Sequence, residues 1–253
     1  MLYAISFIFG TLVGSFLHLV ATRLPKGEDI VASRSQCAHC KVTLGPADLI
    51  PLFSFIALRA RCRSCRKPLS WSYPAVEALC GILFLVPVFV YGTDWINTSV
   101  LLHTVLGWFF LSGLLVLFLM DFWYRLVPDA IVLPLIAAAV IVQLFTGRMG
   151  WYQLVLGLVI GFGWFGIQWL VSKGKWVGGG DMRLGALAGA LVGFPGILIV
   201  FFFTYVVGAL CAVVGLATGR FTLKGEFPLG TTLTMATALV YFVPTHVFIS
   251  LIS

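Results

Sequence analysis

Eight long apolar stretches decide what this chain can fold into. They run over residues 2–20, 75–91, 97–120, 130–146, 151–171, 184–192, 197–216 and 231–252. A helix needs about 20 apolar residues to cross the hydrocarbon of a bilayer. In lipid no water can satisfy an open backbone group, so each N–H and C=O must find its partner within a helix or a closed barrel. The pattern predicts an all-α fold, a polytopic transmembrane helical bundle of about eight spans. Composition agrees: 60% of residues are hydrophobic and 10% charged, where a soluble domain carries about a quarter charged residues. Residues 184–216 are too many for one span. Gly193, Phe194, Pro195 and Gly196 supply a turn there, because proline cannot continue the hydrogen-bond ladder, and the sixth span is left short.

The basic residues give the chain a direction. Nine Lys or Arg, from Arg23 and Arg34 to Lys67, lie between the first two spans. Arg125 follows the third span, Lys173, Lys175 and Arg183 the fifth, and Arg220 and Lys224 the seventh. Alternate loops therefore hold 15 of the 16 basic residues. Positive loops stay in the cytoplasm, which predicts both termini outside. No Lys or Arg precedes the first apolar run and no small-x-small site follows it, so that run is expected to remain as a helix rather than act as a cleaved signal. The net charge of +7 is read as contact with anionic lipid at the bilayer surface, not with nucleic acid. Three segments result: 1–20 as the first transmembrane helix, 21–73 as a cytoplasmic loop, and 74–253 as the remaining bundle.

That loop carries Cys37-Ala38-His39-Cys40 and Cys62-Arg63-Ser64-Cys65. Two C-x2-C pairs at this separation can set four thiolates around one tetrahedral Zn²⁺. The cytoplasm disfavours disulfides, and a loop of this size cannot build a large core, so a structural metal would stabilise it. Cys37, Cys40, Cys62 and Cys65 are the expected ligands, with His39 at the surface. Cys80 and Cys211 lie inside spans and read as small packing residues. His18, His103 and His246 read as bundle or interfacial residues.

Among nine acidic residues, Asp121, Asp129 and Asp181 sit at the predicted cytoplasmic ends of apolar segments. An ionisable group at membrane depth is costly and is a candidate functional group for that reason. Asp121 follows Phe118, Leu119 and Met120 without a polar spacer. Asp181 follows Gly178, Gly179 and Gly180, which could adopt positive φ and let a substrate strand pass close. Two facing carboxyls cannot both ionise cheaply and hold one proton between them. One can then take a proton from water while the other polarises a carbonyl, which is the chemistry of peptide-bond hydrolysis without a covalent intermediate. The residues also admit quieter roles: Asp181 as the cap of the next helix, Asp121 as an interfacial side chain. Asp129, after Pro128, reads as a cap. Gly157, Gly161, Gly163 and Gly166 predict a close helix contact in the fifth span.

Taken in order, these motifs resemble type IV prepilin peptidases, membrane GxGD aspartic proteases that act as leader peptidase and N-methyltransferase in bacterial inner membranes. The resemblance covers nearly the whole chain. It runs from Gly14-Ser15-Phe16-Leu17 and Arg23-Leu24-Pro25 through Arg34-Ser35, both cysteine pairs, Leu49-Ile50-Pro51-Leu52, Leu58-Arg59, and Tyr73-Pro74 with Glu77. It ends with Asp121, Val127-Pro128-Asp129 and Gly178-Gly179-Gly180-Asp181. It implies that Asp121 and Asp181 are catalytic. It also implies cleavage after the leader glycine of prepilin or pseudopilin precursors on the cytoplasmic side, then methylation of the new N-terminal residue from S-adenosylmethionine. The chain departs from the family pattern at His18, Ser72, Arg183 and Phe227-Pro228-Leu229-Gly230. A peptidase without methyl transfer, an ion transporter using the two aspartates as a relay, and a zinc-ribbon scaffold are the competing readings. No residue is assigned to S-adenosylmethionine.

Overall fold

The computed structural model describes residues 1–30, 35–219 and 228–243. Arg34, Arg220, Lys224, Phe227, His246 and the end of the expected eighth span lie outside them. The described chain is helical: α1 (Leu2–Arg23), α2 (Phe53–Ala57), α3 (Ser72–Tyr91), α4 (Thr98–Tyr124), α5 (Asp129–Thr146), α6 (Trp151–Ser172), α7 (Gly179–Ala217) and α8 (Leu229–Phe242). Six of these, α1 and α3 to α7, are long and apolar enough to cross a membrane. The eight expected spans correspond to these six, with α7 bent into two arms and the shorter α8 at the end. Buried hydroxyls obey the lipid rule within their own helices. Thr104 donates to Val100 O at 2.8 Å, Thr204 to Val200 O at 2.7 Å and Thr237 to Leu233 O at 2.7 Å.

Two compact units divide the chain, Met1–Val116 and Leu117–Ser253, with α4 running from one into the other. In the first, α1 packs on α3. Gly10 and Gly14 let the helices touch, since a Cβ at Gly14 would lie 2.7 Å from the Cys80 Cβ. Cys80 is buried in that crossing, as a packing residue should be. Phe84 of α3 stacks on Trp108 of α4 at 5.4 Å.

In the second unit the first arm of α7 is the central helix, every residue from 184 to 191 being buried. α5, α6 and α8 pack against it. Its contact with α6 is backbone to backbone: a Cβ at Gly157 would lie 2.5 Å from Gly189 O, and one at Gly161 would fall on Gly185 O. Gly163 and Gly166, expected in the same contact, have room for a methyl group. The bend comes where the Gly-Phe-Pro-Gly turn predicts it, with non-helical dihedrals at Gly193 (φ 62°, ψ −171°) and Phe194 (φ −94°, ψ 136°). Residue 195 is proline and has no N–H for the Leu191 carbonyl four residues back. The Gln143 side chain of α5 donates to that oxygen instead, at 3.1 Å. Beyond the bend Phe202, Leu210 and Val213 face outward. So does Cys211, which is therefore not a packing residue.

Candidate active site and metal centre

Asp121 lies in the last turn of α4 and is only 6% exposed. Its Oδ2 accepts two hydrogen bonds from Thr231, from the backbone N–H at 2.5 Å and from the hydroxyl at 2.8 Å. Thr231 is the third residue of α8, so the carboxyl sits at a helix N-terminus, where free amides and the dipole favour an anion. Gly230 makes the approach possible. A Cβ there would come within 2.8 Å of both Asp121 Cγ and Leu184 Cδ1. Gly230 entered the sequence reading only as the end of the departing motif Phe227-Pro228-Leu229-Gly230, with no contact to Asp121 expected, and Thr231 only as the start of a span. The one available signal is the density of hydroxyls in an apolar helix, Thr231, Thr232, Thr234 and Thr237.

Asp181 is in the first turn of α7 and half-buried. Its Oδ2 accepts from the Gly178 amide at 3.0 Å, which closes the helix start in the manner of a capping residue. The three glycines behave differently from expectation. Gly178 has φ −79° and extended backbone, and Gly179 and Gly180 begin the helix, so none uses positive φ. What matters at Gly180 is the missing side chain, because a Cβ would lie 2.9 Å from the Val127 Cβ. The glycine segment is thus laid against the loop that follows Asp121.

Both aspartates belong to the second unit and to neighbouring ends of its helices. Gly230 touches Asp121 on one side and Leu184, one turn beyond Asp181, on the other. Asp129 is the first residue of α5, after the N-cap Pro128, so it is not the cap expected; it forms an ion pair with Arg183 of α7, two residues beyond Asp181. That pair ties the starts of α5 and α7 together and engages the carboxyl the sequence analysis set aside.

The cysteines meet in the first unit. All four sulfurs lie within 4.8 Å of one another, with Cys37–Cys65 at 3.9 Å and Cys40–Cys62 at 4.0 Å. Zn–S bonds of 2.3 Å place tetrahedral sulfurs roughly 3.8 Å apart, so the donor set fits a four-coordinate metal. The two knuckles repeat one design. Cys37 N donates to Val42 O at 3.0 Å and Lys41 N to Cys37 O at 3.0 Å; Cys62 N donates to Lys67 O and Arg66 N to Cys62 O, both at 2.9 Å. Lys41 and Arg66 each take φ 57° to close the turn. Backbone amides of Cys40 and His39 aimed at the Cys37 sulfur lower its pKa to about 6, which favours the thiolate a metal requires. His39 is exposed and takes no place among the four.

Below the knuckles, a buried polar group joins the loop to the helices. Glu77 of α3 accepts from the Leu52 amide at 2.8 Å. His18 Nε2 and the Ser72 hydroxyl are 3.0 Å apart, and the His18 ring lies 4.4 Å from that of Tyr73. His18 and Ser72, two of the positions that depart from the family pattern, are therefore partners of each other.

Comparison with known proteins adds the following. The model of the bacterial peptidase A24 N-terminal domain matches residues 8–91, and that of the type IV leader peptidase family matches residues 108–213. A prepilin leader peptidase/N-methyltransferase of Bacillus subtilis is 32% identical over 94% of this chain and 93% of its own length. One of Pseudomonas putida is 32% identical over 90% of this chain and 86% of its own. One of Myxococcus xanthus is 33% identical over 85% and 63%. No solved structure matches the chain.

Proposed function

The chain belongs to the type IV leader peptidase family, and from that premise we propose that it cuts the leader from prepilin-like precursors with Asp121 and Asp181 as its acid–base pair. The observation that carries this reading is the setting of Asp121. It is a carboxyl buried at a membrane helix end, fixed by two Thr231 donors, with Gly230 packed between it and Leu184, in the turn that follows Asp181. An ion relay would spread polar groups through the middle of several spans, whereas Asp121, Asp129 and Asp181 all stand at helix ends.

The pair holds one proton. The ionised carboxyl takes a proton from a water whose oxygen bonds to the scissile carbonyl carbon, while the protonated one donates to the carbonyl oxygen. Collapse of the tetrahedral intermediate breaks the C–N bond, and the departing amine takes up a proton. No covalent enzyme intermediate forms, and neither carboxyl changes its net protonation over the cycle. Cleavage would follow the leader glycine on the cytoplasmic side of the inner membrane, a sidedness supported by the basic loops. The first unit would hold one structural zinc on Cys37, Cys40, Cys62 and Cys65, which stabilises a loop too small for its own core. Methyl transfer from S-adenosylmethionine to the new N-terminus is the second proposed activity, as the relatives' names say of them; no side chain is assigned to the donor.

The test is cleavage of a prepilin by purified protein in detergent, alongside Asp121→Asn and Asp181→Asn. Each variant should fold and lose cleavage by about 10³-fold or more, the upper range for acid–base groups. Wild-type rates in either variant would end the shared-proton reading. Transfer of labelled methyl to the cleaved product separates the double activity from a peptidase alone.

A further inference from the structure

In the first unit, a groove of about 650 Å³ lies between α2 and the first two turns of α3, bordered by Phe55, Ile56, Arg59, Trp71, Ala75 and Ala78. That is within the range of small-ligand sites, about 300–1,000 Å³. Three observations bear on what fills it. Its lining is apolar except for Arg59. Two of its lining side chains are large, apolar and exposed, Ile56 at 74% and Trp71 at 73%, which water disfavours. Its far wall is the beginning of α3 (Pro74, Ala75 and Ala78), a helix long and apolar enough to cross a membrane.

Left-handed backbone recurs along the groove. Leu52, Arg59 and Ala60 all have positive φ, at 59°, 51° and 58°, and all three border the groove. Non-glycine residues in that region are strained and persist where surroundings impose them. At Leu52 the buried carboxylate of Glu77 grips the amide. One cation, Arg59, lines the groove and is exposed, and the segment that follows it in sequence adds the exposed Arg61, Arg66 and Lys67. The nearby Asp48 is engaged by Arg63 at 2.8 Å.

We propose that this groove binds an anionic phospholipid, with an acyl chain on the apolar floor and the phosphate at Arg59. The cysteine loop then rests on the bilayer surface through α2 instead of standing off in water. Trp71 takes the interfacial position that amphipathic rings favour, and Arg59 complements an anionic headgroup.

The experiment uses the full-length, zinc-loaded protein in detergent micelles doped with phosphatidylglycerol or phosphatidylcholine, with bound lipid counted by native mass spectrometry. The wild type should retain one phosphatidylglycerol at least tenfold more readily than phosphatidylcholine. Arg59→Gln should abolish that preference while still holding lipid. Ala75→Trp, at an exposed position, should fill the groove and lose both lipids while keeping its zinc content and cleavage rate. Retention by Ala75→Trp equal to wild type, or no headgroup preference in the wild type, would overturn the proposal. So would a photo-crosslinker at position 56 that captures the precursor's helix rather than lipid.

Discussion

In the first unit four thiols come together because two short turns, each spanning a C-x2-C, are built alike and face one another. In the second unit a carboxyl on α4 is held by an amide and a hydroxyl 110 residues away, on α8. The metal site needs only local turn geometry and one pairing of turns. The carboxyl site needs the ends of three long helices brought to one place by packing, with glycines where backbones touch. The difference predicts how each fails. The cysteine site should fail as a unit when its metal goes, and the aspartate site should fail by displacement, with the fold intact.

The largest expected effect tests the first half of that contrast. Structural zinc contributes about 10–16 kcal/mol in small zinc-dependent modules. Cys62→Ser should therefore release the metal, measured as a fall from one zinc per chain to none. Limited proteolysis should then cut between residues 35 and 71 while leaving the second unit whole. If the loop stayed resistant without zinc, the turns would be self-sufficient, and the contrast with the helix-built site would disappear.

Next in size is Gly230→Ala. The new methyl would need space 2.8 Å from Asp121 Cγ and from Leu184, so Asp121 or α8 must move. A shift of about 1 Å at a reacting group can cost 10²-fold in rate. Cleavage should fall by about that factor while zinc content and α-helical signal remain at wild-type values. Thr231→Val is gentler. It removes the hydroxyl donor to Asp121 but keeps the backbone N–H. A hydrogen bond to a charged group is worth about 1.5–3 kcal/mol, and if it orients the carboxyl for reaction the rate should drop by about 10- to 100-fold. A rate unchanged in Thr231→Val would mean that the amide alone orients the carboxyl.

The same contrast explains what the sequence made legible. Apolar run length reports membrane crossing directly, so the helices could be placed, and Gly193 to Gly196 marked the bend because proline and glycine act on their own backbone. The C-x2-C spacing encodes its turn within four residues. Asp121 and Asp181 stood out because carboxyls at membrane depth are rare. Thr231 and Gly230 did not, since their partner is set by helix packing that no local pattern records. The glycines at 157 and 161 announced a contact but not its other side, Gly185 and Gly189. Gly178 to Gly180 were legible as a close approach, of a substrate strand, and positive φ was expected where none is used, because a glycine needed for want of a Cβ looks the same in sequence as one needed for positive φ.

The smallest expected effect concerns the bend in α7, where the second unit satisfies a backbone group across helices. Gln143 is buried at 3% exposure and donates to the Leu191 carbonyl that Pro195 cannot serve. Its own Oε1 has no hydrogen-bond partner among the described residues. Gln143→Met therefore removes one bond and also one unpaired buried oxygen, and the two effects oppose. An orphaned carbonyl costs about 1–3 kcal/mol, while side-chain hydrogen bonds between membrane helices average about 0.6 kcal/mol and reach about 1.7. A net loss of about 1 kcal/mol is expected, read as a small fall in the thermal unfolding midpoint in detergent with cleavage unchanged. Gln143→Glu should be worse, because ionised it loses the donor altogether and buries a charge in its place. If Gln143→Met were as stable as the wild type and Gln143→Glu no worse, the bent helix would not depend on its neighbour for that bond. The second unit would then be held by glycine contacts alone.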